Sequence, residues 1–357
     1  MLYRENGQFK TSYRADQQVF PIRQDRIAMA VLLGLAVVAM PLLASEYMMR
    51  AILIPFLILS LAALGLNILV GYCGQISLGT GAFMAVGAYA AYNFTVRIPG
   101  LPLLAALLLG GLSATVVGVI FGIPSLRIKG LYLAIATLAG QLIIEWIINH
   151  TPAISGGAQA SIQVPRPMLW GYELKTQGQL YFFLLFFAAL AIVATLNLVR
   201  SRIGRAFIAI RDQDIAAEII GIDIYRYKLL SFAISSFYAG VCGVLYTYYL
   251  GIANYEQFQI VVSIDYLAMI IIGGLGSVLG SILGAVFVTM LPIVLRTAME
   301  PLAGLFFSSG EMSSVIASTR LVLFGGLIIF FLVVEPEGLN RLWRNIRNYF
   351  RVWPFSY

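Results

Sequence analysis

Few residues in this 357-residue chain could do chemistry, and their positions limit what that chemistry is. Between Leu131 and His150, Thr137, Gln141, Glu145 and Asn149 recur every fourth residue among Leu, Ile and Ala. On a helix this spacing draws one polar stripe. An ionisable residue in such an apolar segment usually faces a cavity or a bundle interior, so the stripe reads as the wall of a water-filled path with Glu145 near one mouth. The competing reading is interhelical hydrogen bonding, with Glu145, Trp146, Asn149 and His150 at headgroup depth. Asp265, near the end of another apolar segment, is expected on the same side as Glu145, where two carboxylates could steer an ammonium group. Asn67, Gln75, Ser77 and Thr80 surround the run GYCGQISLGTGAF. There they could hold a small polar solute, or satisfy the backbone of a broken helix.

Other chemistries lack their groups. His150 is the only histidine, which leaves no base for a Ser-His-Asp triad and no histidine-based metal site. No GxxxxGK[ST] loop is present, so nucleotide hydrolysis is not expected of this chain. We therefore expect no catalytic residues, no bound metal and no cofactor. Cys73 and Cys242 fall far apart within or beside apolar segments, as packing residues do.

The elements that position these groups are membrane spans. With 60% hydrophobic and 11% charged residues, the chain is far from the roughly 25% charge of soluble domains. Ten apolar segments can be read, over 27–44, 51–70, 81–96, 102–123, 131–148, 180–199, 229–250, 261–272, 278–295 and 321–334. The expected fold is an all-α polytopic bundle of about ten spans, with residues 1–26 and 336–357 outside it. The first span follows a long polar segment with no small-residue cleavage pattern, so it is expected to stay as an anchor. Placing the N-terminus in the cytoplasm puts 17 of the 23 Lys and Arg residues inside, which accounts for the net charge of +7 without nucleic acid. The external segment 150–179, rich in proline and glycine, is expected to form a surface cap or a docking loop. Two glycine-rich runs, 71–83 and GGLGSVLGSILGA at 273–285, interrupt the apolar pattern in similar ways. Such paired interruptions mark a substrate route in repeat-built transporters, although glycine also serves close helix packing.

The stretch 200–228 is the one densely charged interior region, with six basic and four acidic residues. It offers a cytoplasmic handle to another protein. Within it Ala216, Ala217 and Gly221 have the AAxxxG spacing of a short helix with small residues on one side, Glu218 on the other, and a glycine stop. Arg205 and Arg211 are expected to pair with carboxylates of the partner.

From about Asn67 to Pro292 four ordered motifs, LNILVGYCGQISLGTGAFMAVGAYAA, KGLYLAIATLA, GRAFIAIRDQDIAAEIIGID and IIIGGLGSVLGSILGA, resemble the LivM-type permeases of branched-chain amino acid ABC importers. Ile215 stands where the EAA signature has Glu, and Thr80 where many relatives have His. The resemblance implies a bacterial inner-membrane subunit with a LivH-type second permease, two cytosolic ATP-binding subunits and a periplasmic binding protein. ATP would bind only to the partners, and the loop Arg205 to Tyr227 would be the coupling region. Urea, short amides and other small acids are alternative cargoes within the broader family. A stand-alone ion-coupled secondary transporter or channel using Glu145 and Asp265 is the alternative from another class.

Overall fold

The computed structural model describes residues 11–12, 23–98, 100–125, 130–156, 161–164, 167–169, 172–174, 176–306, 309–334 and 337–352. Most of 1–26, the Arg127/Lys129 loop, Arg166 and Lys175 lie outside the described residues. The rest is helix after helix: α1 (23–43), α2 (Glu46–Tyr72), α3 (Thr80–Arg97), α4 (Leu103–Ser125), α5 (Leu131–His150) and α6 (Gln177–Arg200). The charged loop folds as α7 (Arg202–Asp212) and α8 (Asp214–Ile219). Then come α9 (Ile224–Leu250), α10 (Ile260–Gly273), α11 (Val278–Phe306), α12 (Ser309–Val334) and α13 (Gly338–Val352).

Each of the ten expected apolar segments coincides with a helix. Among the described residues, seven helices are long and apolar enough to cross a membrane: those over Glu46–Tyr72, Leu103–Ile123, Tyr132–His150, Gln177–Arg200, Ile224–Leu250, Tyr255–Gly273 and Val278–Leu295. Ile27–Leu43 is a shorter apolar helix. This is a multi-pass membrane protein with an all-α body. π-helical turns at Leu35–Ala39 and Met49–Leu53 precede Pro41 and Pro55. Proline has no N–H and its ring crowds the carbonyl four residues back, and a π turn absorbs both without ending the helix.

α9 is the pillar, packing along α2, α3 and α4, while α10 and α11 pack on each other and on α2. Lipid removes the hydrophobic drive between helices, so close van der Waals packing holds them. The backbones meet through glycine: a Cβ on Gly87 would strike Gly240, and one on Gly243 would strike the Met84 backbone.

The two ends of the bundle differ. At one end Arg97 Nη2 donates to Ala153 O (2.8 Å) and Asn93 Nδ2 to Ile154 O (2.9 Å). There β1 (Ser161–Gln163) pairs antiparallel with Ile252–Asn254, and Met168–Leu169 with Tyr172–Glu173. These contacts join the described parts of segment 150–164 to α3 and to the strand after α9. The opposite end carries both glycine-rich breaks, α7, α8 and the start of α13.

Candidate functional site

The two glycine-rich runs are joined to each other. The first leaves α2 through a third π turn, Ile68–Tyr72, and re-enters a helix at Thr80; the second separates α10 from α11. Asn67, 1% exposed, clasps them together. Its Nδ2 donates to Ser277 O (2.8 Å) and Ser281 Oγ (2.7 Å), and its Oδ1 accepts from Gly276 N (2.9 Å). Gly71 sits under this clasp, where a Cβ would collide with Asn67 Oδ1 and the Gly276 amide.

The remaining polar residues around the first break also hold backbone. Leu78 N donates to Thr137 Oγ1 (2.9 Å). Gln141 Oε1 accepts from Ala82 N (2.6 Å) and Ser263 Oγ (3.2 Å), while its Nε2 donates to Phe258 O (2.7 Å). Gly81 N donates to Ser263 Oγ (2.8 Å). Thus α5 and α10 satisfy the free amides of the first turn of α3, which lacks a capping side chain of its own. Gln75 Nε2 donates to Ser231 Oγ (2.7 Å) and Lys228 O (3.2 Å), tying the break to α9. Ser77 Oγ accepts from Gly79 N (3.3 Å), and Thr80 is buried at the head of α3. Ser231, Ser263, Ser277 and Ser281 were not singled out from the sequence. Only the four-residue spacing of Ser277 and Ser281 in the second run hints at them.

The stripe on α5 does not stay on one face. Thr137 and Gln141 are buried, Glu145 is half-buried and Asn149 is exposed. Four residues turn a helix by 400°, so the stripe drifts about 40° per step and winds from the core to the surface. Among the described residues, the Glu145 carboxylate makes no hydrogen bond or ion pair. It lies on a helix whose outer face shows Ile135, Leu142, Ile143 and Trp146. Asp265 is half-buried on α10.

The charged loop reaches into the joint. Ser201 caps α7 by accepting from Ile203 N and Gly204 N, and Arg211 in its last turn extends to the first break. Arg211 Nη1 donates to Gly71 O (3.0 Å), and its Nε donates to Asp212 Oδ1 (2.9 Å). Both arginines are exposed, but Arg211 reaches back to the first break, whereas Arg205 turns to the end of α6, with Nη1 donating to Arg200 O (3.1 Å). Between α7 and the break lies a polar cleft of about 260 Å³ bordered by Gln75, Arg211, Asp212, Asp214 and Lys228. The buried Gln75 Oε1 has no hydrogen-bond partner there.

The short helix α8 has the predicted stop. Gly221 adopts φ +89°, its N–H bonds Glu218 O (2.9 Å), and Ile222 N bonds Ala217 O (3.0 Å), the pattern of a left-handed C-cap. Its faces differ from expectation. Ala217 is buried, because a small side chain lets α8 lie against the bundle. The exposed surface carries Ala216, Glu218 and three isoleucines, Ile215 (65% exposed), Ile219 (81%) and Ile220 (74%). Among the described residues no cluster of His, Cys, Asp and Glu could hold a metal. Cys73 and Cys242 are free and buried; the Cys242 thiol donates to Ile58 O (3.2 Å).

A family model described as branched-chain amino acid transport system / permease component matches residues 48–332. The high-affinity branched-chain amino acid transport system permease proteins LivM of Escherichia coli K12 and Salmonella typhimurium are each 30% identical over 300 residues, covering 77% of this chain and 66% of theirs. The match thus spans just under two thirds of those relatives. The permease protein LivH of E. coli K12 is 26% identical over 195 residues, covering 55% of this chain and 52% of its own. No solved structure matched. The match covers both breaks, the clasp at Asn67 and the loop that carries Arg211, and on it the chain belongs to the family of permease components of branched-chain amino acid transport systems.

Proposed function

We propose that the chain is a transmembrane permease subunit of an ATP-driven importer of small amino acids, branched-chain ones above all. In this reading it lies in a bacterial inner membrane with its N-terminus in the cytoplasm and ten crossings. The count rests on the ten apolar segments, each of which falls on a helix. The partners are a LivH-type second permease, two cytosolic ATP-binding subunits and a periplasmic binding protein, and ATP binds only to the ATPases.

The bond from Arg211 to Gly71 O carries this reading, because it joins the charged loop to the glycine-rich breaks. The ATPase grips α8 by Ile215, Ile219, Ile220 and Glu218, with Arg205 at the rim of the contact. Its motion passes through α7 and Arg211 to the clasp at Asn67, where two helices are already interrupted. The route for substrate runs along the open face of α5 beside the second permease. Glu145, which has no partner among the described residues, meets an ammonium group there. Thr137 and Gln141 fix that face from behind, and Asp265 borders the route from α10.

The test is uptake into proteoliposomes holding this chain with its co-purified partners. Leucine, isoleucine or valine accumulation that needs ATP on the ATPase side is the expected result. Uptake of urea or short amides instead would overturn the cargo. Uptake by this chain alone, driven by an ion gradient and indifferent to ATP, would overturn the importer reading.

A further inference from the structure

The helix that closes the described chain has two unlike faces. In α13 Leu339, Leu342, Trp343, Ile346 and Tyr349 recur at intervals of three and four, which gathers them on one side. Asn340, Arg341, Arg344, Asn345, Arg347 and Asn348 fill the other. Its beginning packs on the bundle. Leu339 packs on the core, and the Gly338 backbone lies against Ile272 O and Gly274 N of the second break. Arg344 pairs with Glu337. Further along, the apolar side is open: Leu342, Trp343 and Ile346 are each about half exposed, and Tyr349 two thirds.

What covers this face is indicated by where the helix starts. Three residues separate Val334, the last residue of α12, from Gly338. Three residues span at most about 10 Å, so α13 begins within that reach of the end of α12, which closes on the apolar run LIIFFLVV. A helix there with apolar and aromatic residues on one side and arginines on the other fits the membrane–water boundary. Trp and Tyr sit well at headgroup depth, and arginine stems can reach from it to phosphates.

We propose that α13 lies in the interface of the leaflet on the α7–α8 side and binds anionic lipid headgroups through Arg341, Arg344 and Arg347. Because its first turn packs on Gly274, the lipid surface also anchors the second break. The inference does not depend on the cargo or on the ATPase.

The test uses the full chain in nanodiscs of phosphatidylcholine with 30% phosphatidylglycerol. Nitroxide labels are placed by Leu342→Cys, Ile346→Cys or Asn348→Cys, since Cys73 and Cys242 are buried. Labels at 342 and 346 are expected to collide with oxygen, and the label at 348 with a water-soluble nickel chelate. Replacing Arg347 with Gln should lower the ratio of inserted to free label about fivefold, as expected for one arginine near an anionic surface. Labels at 342 and 346 shielded from both reagents would overturn the proposal in favour of a protein partner. Exposure of all three to nickel would overturn it outright. Equal insertion in pure phosphatidylcholine would overturn the assignment to anionic headgroups.

Discussion

Replacing Asn67 with alanine tests the joint. The side chain makes three hydrogen bonds across the two glycine-rich breaks. They are unequal in what they leave behind. Ser277 O still accepts from Ser281 N (3.0 Å), and Ser281 Oγ still donates to Ser277 O (3.3 Å). Each of these two losses therefore costs about 0.5–1.5 kcal/mol. Gly276 N has no other acceptor among the described residues and is partly buried, which adds about 1–2 kcal/mol. Alanine returns about 0.5 kcal/mol through its better helix propensity at the end of α2. The net expectation is a loss of about 1.5–4.5 kcal/mol, measured by SDS unfolding of the purified subunit in mixed micelles. Ser281→Ala removes a single bond from the clasp and should lose about 1 kcal/mol. A loss for Asn67→Ala below about 0.5 kcal/mol, or no larger than that of Ser281→Ala, would refute the clasp as a structural hinge pin.

Arg211→Gln removes the bond to Gly71 O while leaving α7 folded; in the reconstituted complex ATP hydrolysis should persist while uptake falls at least tenfold, and parallel loss of both would refute the transmission role. Ile219→Asp puts a charge on the most exposed isoleucine of α8, so co-purification of the ATPase should drop about tenfold with the subunit's unfolding unchanged. Gly221→Ala meets no neighbouring atom, but φ +89° costs a residue with a Cβ about 1 kcal/mol; the loss should appear in ATPase affinity and be absent from the unfolding of the spans. Glu145→Gln should leave unfolding within about 0.5 kcal/mol of wild type, since the carboxylate has no partner among the described residues to lose. It should raise KM for uptake, and an unchanged KM would remove Glu145 from the route.

How much of this was legible beforehand differs by residue. The position of Gly221 could be read from spacing because a left-handed stop is a local demand of the backbone. The direction of Ala217 could not, because six residues of helix present the same sequence whichever side the bundle takes. Arg211 is the sharper case. Its charge and its place in the loop pointed outward, yet the packing of α7 against the first break decides that its guanidinium meets Gly71 O. Gln141 and Thr137 were visible as polar residues in an apolar helix. That they serve the amides of α3 depended on where α3 begins relative to α5, which no sequence spacing encodes.

The sequence alone determined that the chain is a helical membrane protein with a charged loop between two apolar halves. Hydrophobic length and the asymmetry of Lys and Arg answer to the bilayer, a solvent that acts on each segment independently of the others. Tertiary structure decided which polar groups are consumed inside and which are left open. In lipid a backbone amide must find its partner within the protein, so the broken helices recruit Asn67, Gln141 and Ser263 from distant segments. What remains unrecruited, Glu145 on α5 and the isoleucines of α8, is a property of that packing and of no shorter stretch of the chain.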